Sequence, residues 1–150
     1  MRIICILGLL GVSAAWAADR PDLNGKWQLD PAHSQLNESK LKSRILSIHQ
    51  TDGSIAITDE ITDTSGKTRK LEFQCATDGQ DCKVPHESTT VSMYYNGPRL
   101  VLLESRGSDN VVKSRLTTGQ DGKTLQMEIL HIAPPSQKNE TLVFTKSGGA

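Results

Sequence analysis

The stretch Ser43–Ile61, SRILSIHQ-TDG-SIAITDEI, decides the fold. In its second half Ile55, Ile57, Asp59 and Ile61 alternate with Ala56, Thr58 and Glu60. That period of two marks a half-buried β-strand over Ser54–Ile61. Ser43–Gln50 reads as the strand before it, and Thr51-Asp52-Gly53 as the turn between them. Strands joined this tightly must run antiparallel.

The same reading extends in both directions. Upstream, Gly25–Asp30 (GKWQLD) is a short first strand stopped by Pro31, and Ala32–Lys42 is a polar loop with room for one helical turn. Downstream, Lys67–Cys75 places Leu71, Phe73 and Cys75 on one face and Lys70, Glu72 and Gln74 on the other. Further strands are expected over Ser88–Tyr95, Arg99–Ser105, Val111–Thr117, Leu125–Ile132 and Glu140–Lys146, with turns at Asn96-Gly97-Pro98, Gly107–Asn110 and Gly119–Lys123. No helical pattern of 10–15 residues intervenes, so parallel βαβ units are not expected. The expectation is an all-β protein, an antiparallel up-and-down meander of about eight or nine strands. Such a meander leaves two sheet edges bare unless it closes, which favours a barrel over an open two-sheet β-sandwich. Asp52-Gly53, Asp78-Gly79 and Asp121-Gly122 supply the positive φ of hairpin turns and lack the ligand density of calcium loops.

Residues 1–17 read as a signal peptide: Met1-Arg2, the apolar run Ile3–Val12, then Ala15-Trp16-Ala17, with cleavage after Ala17 or Ala18. Residues 18–150 then form a single exported domain, periplasmic or secreted. Past the signal no apolar run approaches the ~20 residues of a spanning helix. The chain carries 17 basic and 17 acidic residues, a balance that speaks against nucleic acid or a polybasic membrane contact. Cys5 leaves with the signal, and Cys75 and Cys82 form an even pair suited to a disulfide in an oxidising compartment. The bridge would close a loop of about eight residues, worth roughly 2–3 kcal/mol. The spacing is not C-x-x-C and no His/Cys cluster accompanies it, so neither a metal site nor redox catalysis is expected.

Several patches resemble one family. Gly25-Lys26-Trp27 is similar to the G-x-W signature of lipocalins, whose tryptophan plugs one barrel end. Asn24–Ser34 (NGKWQLDPAHS) resembles the opening of small secreted bacterial lipocalin-like proteins of unassigned function. Tyr95-Asn96-Gly97 with Leu100-Val101, Asp121–Leu125 (DGKTL) and Leu142–Lys146 (LVFTK) resemble their later hairpin, turn and closing strand in the same order. His33 and Tyr95 depart from the Lys and Trp usual there, and the cysteine pair is an addition. The resemblance implies a calycin-type barrel and no particular activity, because such barrels host transport, inhibition and catalysis alike.

Trp27 is expected to be a structural plug with a cation on its ring, from Lys146 or Arg115. His33, His49, His86 and His131 lie on separate segments without metal spacing. His131 alternates with Leu125, Met127 and Ile129, but a strand-end histidine reaching solvent is the preferred reading. No catalytic grouping is visible, so no enzyme activity and no cofactor are expected. Inward-facing candidates are Trp27, Phe73, Met93, Tyr95, Leu116, Met127, Ile129 and Phe144. They form either a filled core or the wall of a cavity for a small apolar or amphipathic ligand. The rival expectation is a protein partner held through a surface loop, Cys75–Glu87 (CATDGQDCKVPHE), braced by the disulfide.

Overall fold

The computed structural model describes residues 20–37 and 40–148. The signal-peptide reading of residues 1–17, with Cys5, Trp16 and the cleavage points, lies outside the described residues. No helix among the described residues is long and apolar enough to cross a membrane.

Ten strands follow one another: β1 (Gly25–Leu29), β2 (Leu41–Gln50), β3 (Ser54–Asp63), β4 (Thr68–Ala76), β5 (Asp78–Lys83), β6 (Thr90–Asn96), β7 (Arg99–Ser105), β8 (Val111–Thr118), β9 (Thr124–Ala133) and β10 (Glu140–Ser147). They form one antiparallel sheet in the order β4-β3-β2-β1-β10-β9-β8-β7-β6-β5. Every neighbour in this order is also a chain neighbour, except that β1 pairs with β10, which rolls the meander up. The result is a nearly closed barrel. Its seam lies between β4 and β5, which share no ladder among the described residues.

The disulfide Cys75–Cys82 spans that seam, with the two Cα atoms 5.8 Å apart, inside the range a disulfide needs. The segment expected to be a loop at Cys75–Glu87 is therefore mostly strand: Asp78–Lys83 pairs with β6, and only Thr77 connects it to β4. This extra strand raises the count to ten. Its residues are exposed throughout except Cys82, so no alternation betrays it.

Local chemistry places the turns. Gly97 at φ +59°, followed by Pro98, makes the two-residue connection from β6 to β7, the pattern of a II′ hairpin. Before Leu125, the Asp121 carboxylate accepts from the Lys123 N–H at 2.9 Å. After β1, Pro31–His33 is a single 3-10 turn. Asp30 caps it by accepting from the Ala32 N–H and by meeting His33 Nδ1 at 2.7 Å. That His33 contact holds the partly buried Asp30 carboxyl below the usual carboxylate range. Ser34 Oγ then accepts from the Val143 N–H at 2.8 Å, tying the turn to β10.

Alternation sends one face of every strand except β5 inward. Leu46, Ile48, Ile55, Ile57, Phe73, Met93, Leu100, Leu116, Leu125, Met127 and Phe144 fill the interior in contiguous layers. At one end Trp27 is fully buried and its Nε1–H donates to the Leu23 carbonyl at 2.9 Å. Lys146 Nζ lies 5.1 Å from the ring centroid and supplies the cation; Arg115 instead faces Glu128 at 3.6 Å. The glycine of G-x-W has a physical reason: Gly25 sits at φ +132°, and a Cβ there would meet Lys146 Cε at 2.6 Å. Residues 20–24 strap this end shut. Gln50 accepts from the Leu23 N–H at 2.9 Å and donates to the Pro21 carbonyl and the Tyr95 hydroxyl at 3.1 and 2.8 Å, and Arg20 stacks over Tyr95 at 4.7 Å.

Candidate ligand site at the open end of the barrel

The sequence candidates converge inside the barrel. Trp27, Met93, Leu116 and Phe144 are completely buried, and Phe73, Met127 and Ile129 nearly so. Tyr95 is partly buried against the core, and burial pushes its phenol up against the opposing pull of Arg20 and Gln50. Phe73, Leu116 and Met127 border an internal void, with Leu46, Ile48, Ile57, Leu102 and Ser114. That void is about 10 Å³, room for one water at most. As it stands the interior is a packed core rather than a wide ligand chamber.

The opposite end differs in chemistry. There the inward positions of β2, β3 and β7 carry Arg44, Asp59 and Glu104 in place of aliphatic side chains. Arg44 and Asp59 form a fork-to-fork pair, Nε to Oδ1 at 3.0 Å and Nη2 to Oδ2 at 2.7 Å. Both side chains are largely buried, at 14% and 13% exposure. Burial opposes the Arg44 charge, but the Asp59 carboxylate beside it wins and holds the guanidinium pKa above its ordinary value. Glu104, half-buried nearby, makes no hydrogen bond or ion pair among the described residues. Burial pushes its carboxyl up; Arg44 pulls it down and Asp59 adds to the rise.

Arg44 faces three spaces at once: the internal void, a side chamber and an open cleft. The cleft is about 480 Å³ and is bordered by Leu36, Asn37, Leu41, Arg44, Ile61, His131, Gln137, Lys138 and Glu140. The side chamber is about 170 Å³, with Arg44, Asp59, Ile61, Arg69, Leu71, Glu104 and Arg106 around it. The chain closing the cleft is held by Asn37, whose N–H donates to Glu140 Oε1 at 3.0 Å and whose amide donates to the Lys138 and Asn139 carbonyls. His131 sits on the inner face at this end, half-buried, with Nδ1 buried and unpartnered among the described residues. The bulge at Val111/Val112 pairs His131 with Val112, which packs on the core, so this strand-end histidine lines the cleft while part of its ring is buried.

Sequence reasoning missed Arg44, Asp59 and Glu104 as site residues. One signal existed: Asp59 occupies an inward position of an otherwise aliphatic alternation. What this end can do chemically is hold a small molecule by an apolar wall and a charged floor. Among the described residues no group of three or more His, Cys, Asp or Glu side chains is placed to hold a metal ion.

No protein-family profile matches the chain, and no curated protein matches it in sequence. Solved structures do share its architecture. A secretary abundant heat soluble (SAHS) protein from Ramazzottius varieornatus is similar at a TM-score of 0.58 and 9% identity, over 87% of this chain and 99% of its own. Apo lipid binding protein 8 from Caenorhabditis elegans is similar at 0.55 and 13% identity, over 83% and 94%. At these identities the likeness establishes the fold alone, an antiparallel β-barrel.

Proposed function

We propose that this chain is an exported binding protein for a small amphipathic ligand, taken at the open end of the barrel. The observation that carries the reading is the cleft of about 480 Å³, whose wall is Leu36, Leu41 and Ile61 and whose floor is Arg44. Apolar surface with a few convergent polar groups is the usual make-up of a small-molecule site. A buried ion pair points the same way, because a pair of this kind rarely stabilises more than an apolar replacement would. The lipid-binding name of one structural neighbour accords with the reading. The interior candidates Trp27, Phe73, Met93, Leu116, Met127, Ile129 and Phe144 act in it as the rigid base beneath the site, and Tyr95 as part of the closed end. Residues 1–17 would direct export, and the disulfide suits the oxidising compartment that follows.

Native mass spectrometry of gently recovered protein tests this. Bound mass that leaves on denaturation is the expected result, and an N-terminus at Ala18 or Asp19 is expected for the exported form. A bare mass, together with no saturable binding of any eight-carbon amphiphile, would overturn it.

A second reading has its own observation. The packed interior and the exposed, disulfide-braced β5 fit a protein partner gripping Cys75–Glu87. Reduction and alkylation separate the two: partner binding would collapse, whereas binding at the open end would survive.

A further inference from the structure

We infer that the open end selects an anionic head group: the side chamber of about 170 Å³ takes the carboxylate, phosphate or sulfate of an amphiphile whose tail lies along Leu36, Leu41 and Ile61. The inference rests on the small-ligand reading above and names the chemistry of that site. Its basis is an imbalance between donors and acceptors. Three arginines, Arg44, Arg69 and Arg106, border the chamber against two carboxylates, Asp59 and Glu104. Asp59 is fully committed, one oxygen to each of two Arg44 nitrogens. Arg106 spends only Nε, on Thr89 Oγ1 at 3.1 Å. The remaining guanidinium nitrogens of Arg106, Nη1 of Arg44 and the whole Arg69 guanidinium have no hydrogen-bond partner in the protein among the described residues. Each guanidinium presents a planar set of N–H donors that matches carboxylate and phosphate oxygens.

Charge agrees. With Asp59 cancelling Arg44, Arg69 and Arg106 face only the Glu104 carboxyl. On the cleft side Lys138 and Glu140 offset each other. Arg44, Arg69, Arg106 and Lys138 against Asp59, Glu104 and Glu140 leave the open end with one excess positive charge in a chain of zero net charge. Chamber and cleft share Arg44 and Ile61, so a head group in one leaves its tail in the other.

Calorimetric titration with octanoate, octyl phosphate, octanol and octyltrimethylammonium tests the assignment, with acetate and inorganic phosphate as tail-less controls. The two anionic amphiphiles should bind roughly tenfold or more tighter than octanol, the worth of one or two charge-assisted hydrogen bonds. Arg69→Gln combined with Arg106→Gln should reduce them to the octanol level, and 1 M NaCl should weaken them. Both arginines are exposed, so the double variant should keep its melting temperature. Octanol binding as well as octanoate would overturn the head-group assignment while leaving the amphiphile reading intact. So would tighter binding of the ammonium compound. Inorganic phosphate binding as tightly as octyl phosphate would overturn the role of the tail. Failure of all four amphiphiles would overturn both readings.

Discussion

Arg44 and Asp59 are a matched pair whose halves are worth little apart. Removing one charge leaves the other buried without its partner, which costs about 3–5 kcal/mol, whereas replacing both by apolar groups of similar volume is often near neutral. Asp59→Asn should therefore lower stability by about 3 kcal/mol, and Arg44→Met with Asp59→Leu by clearly less, as read by urea unfolding. Equal losses would mean that the pair stabilises the barrel rather than serving its open end. Glu104 behaves differently because burial raises its folded-state pKa. Between its unfolded and raised folded values the native state binds the extra proton, so stability falls as pH rises through that window. Glu104→Gln should remove that downward slope and melt higher than the parent at pH 7.5; melting curves from pH 4 to 8 read it directly. A slope unchanged in Glu104→Gln would assign the pH dependence to another group.

At the scale of elements, the seam decides how the barrel holds its shape. Nine ladders close the sheet, and at the tenth position the Cys75–Cys82 bridge takes the place of backbone pairing. Replacing both cysteines by alanine should cost about 2–3 kcal/mol on the chain-entropy account. Amide exchange should rise first in β4 and β5, the two strands with a bare edge, with β1 and β10 unaffected. Uniform acceleration along the sheet would show that the bridge acts on global stability alone. The other strands were legible because inward and outward residues differ in kind, as with Ile55, Ile57 and Ile61 against Ala56, Thr58 and Glu60. Strand β5 was not, because Asp78, Gly79, Gln80 and Asp81 are all exposed and polar; pairing with β6 and the covalent tie to Cys75 make it a strand. Cross-strand pairing overrides local preference there.

Across the whole molecule, two ends with opposite chemistry share one packed core. The closed end was readable from G-x-W, since Trp27, Gly25 and Lys146 are tied by ring, φ and side-chain path. Trp27→Ala should cost about 3–5 kcal/mol, the usual range for a buried aromatic, and lower the melting temperature by more than about 10 °C. A melting temperature that barely moves would show that Trp27 is no plug. The open end was hidden because Arg44, Asp59 and Glu104 come from β2, β3 and β7 and meet only once the meander has rolled up. No spacing in the chain encodes that meeting.

The central claim is that ligand is held at the open end, above a core that stays filled. Methyl NMR during titration with octanoate tests it most directly. The account predicts saturable shifts at the methyls of Leu36, Leu41 and Ile61, with those of Leu100, Leu125 and Met93 unmoved. Shifts concentrated at Leu100, Leu125 and Met93 would contradict it, since they would mean that the barrel opens and takes the ligand into its interior.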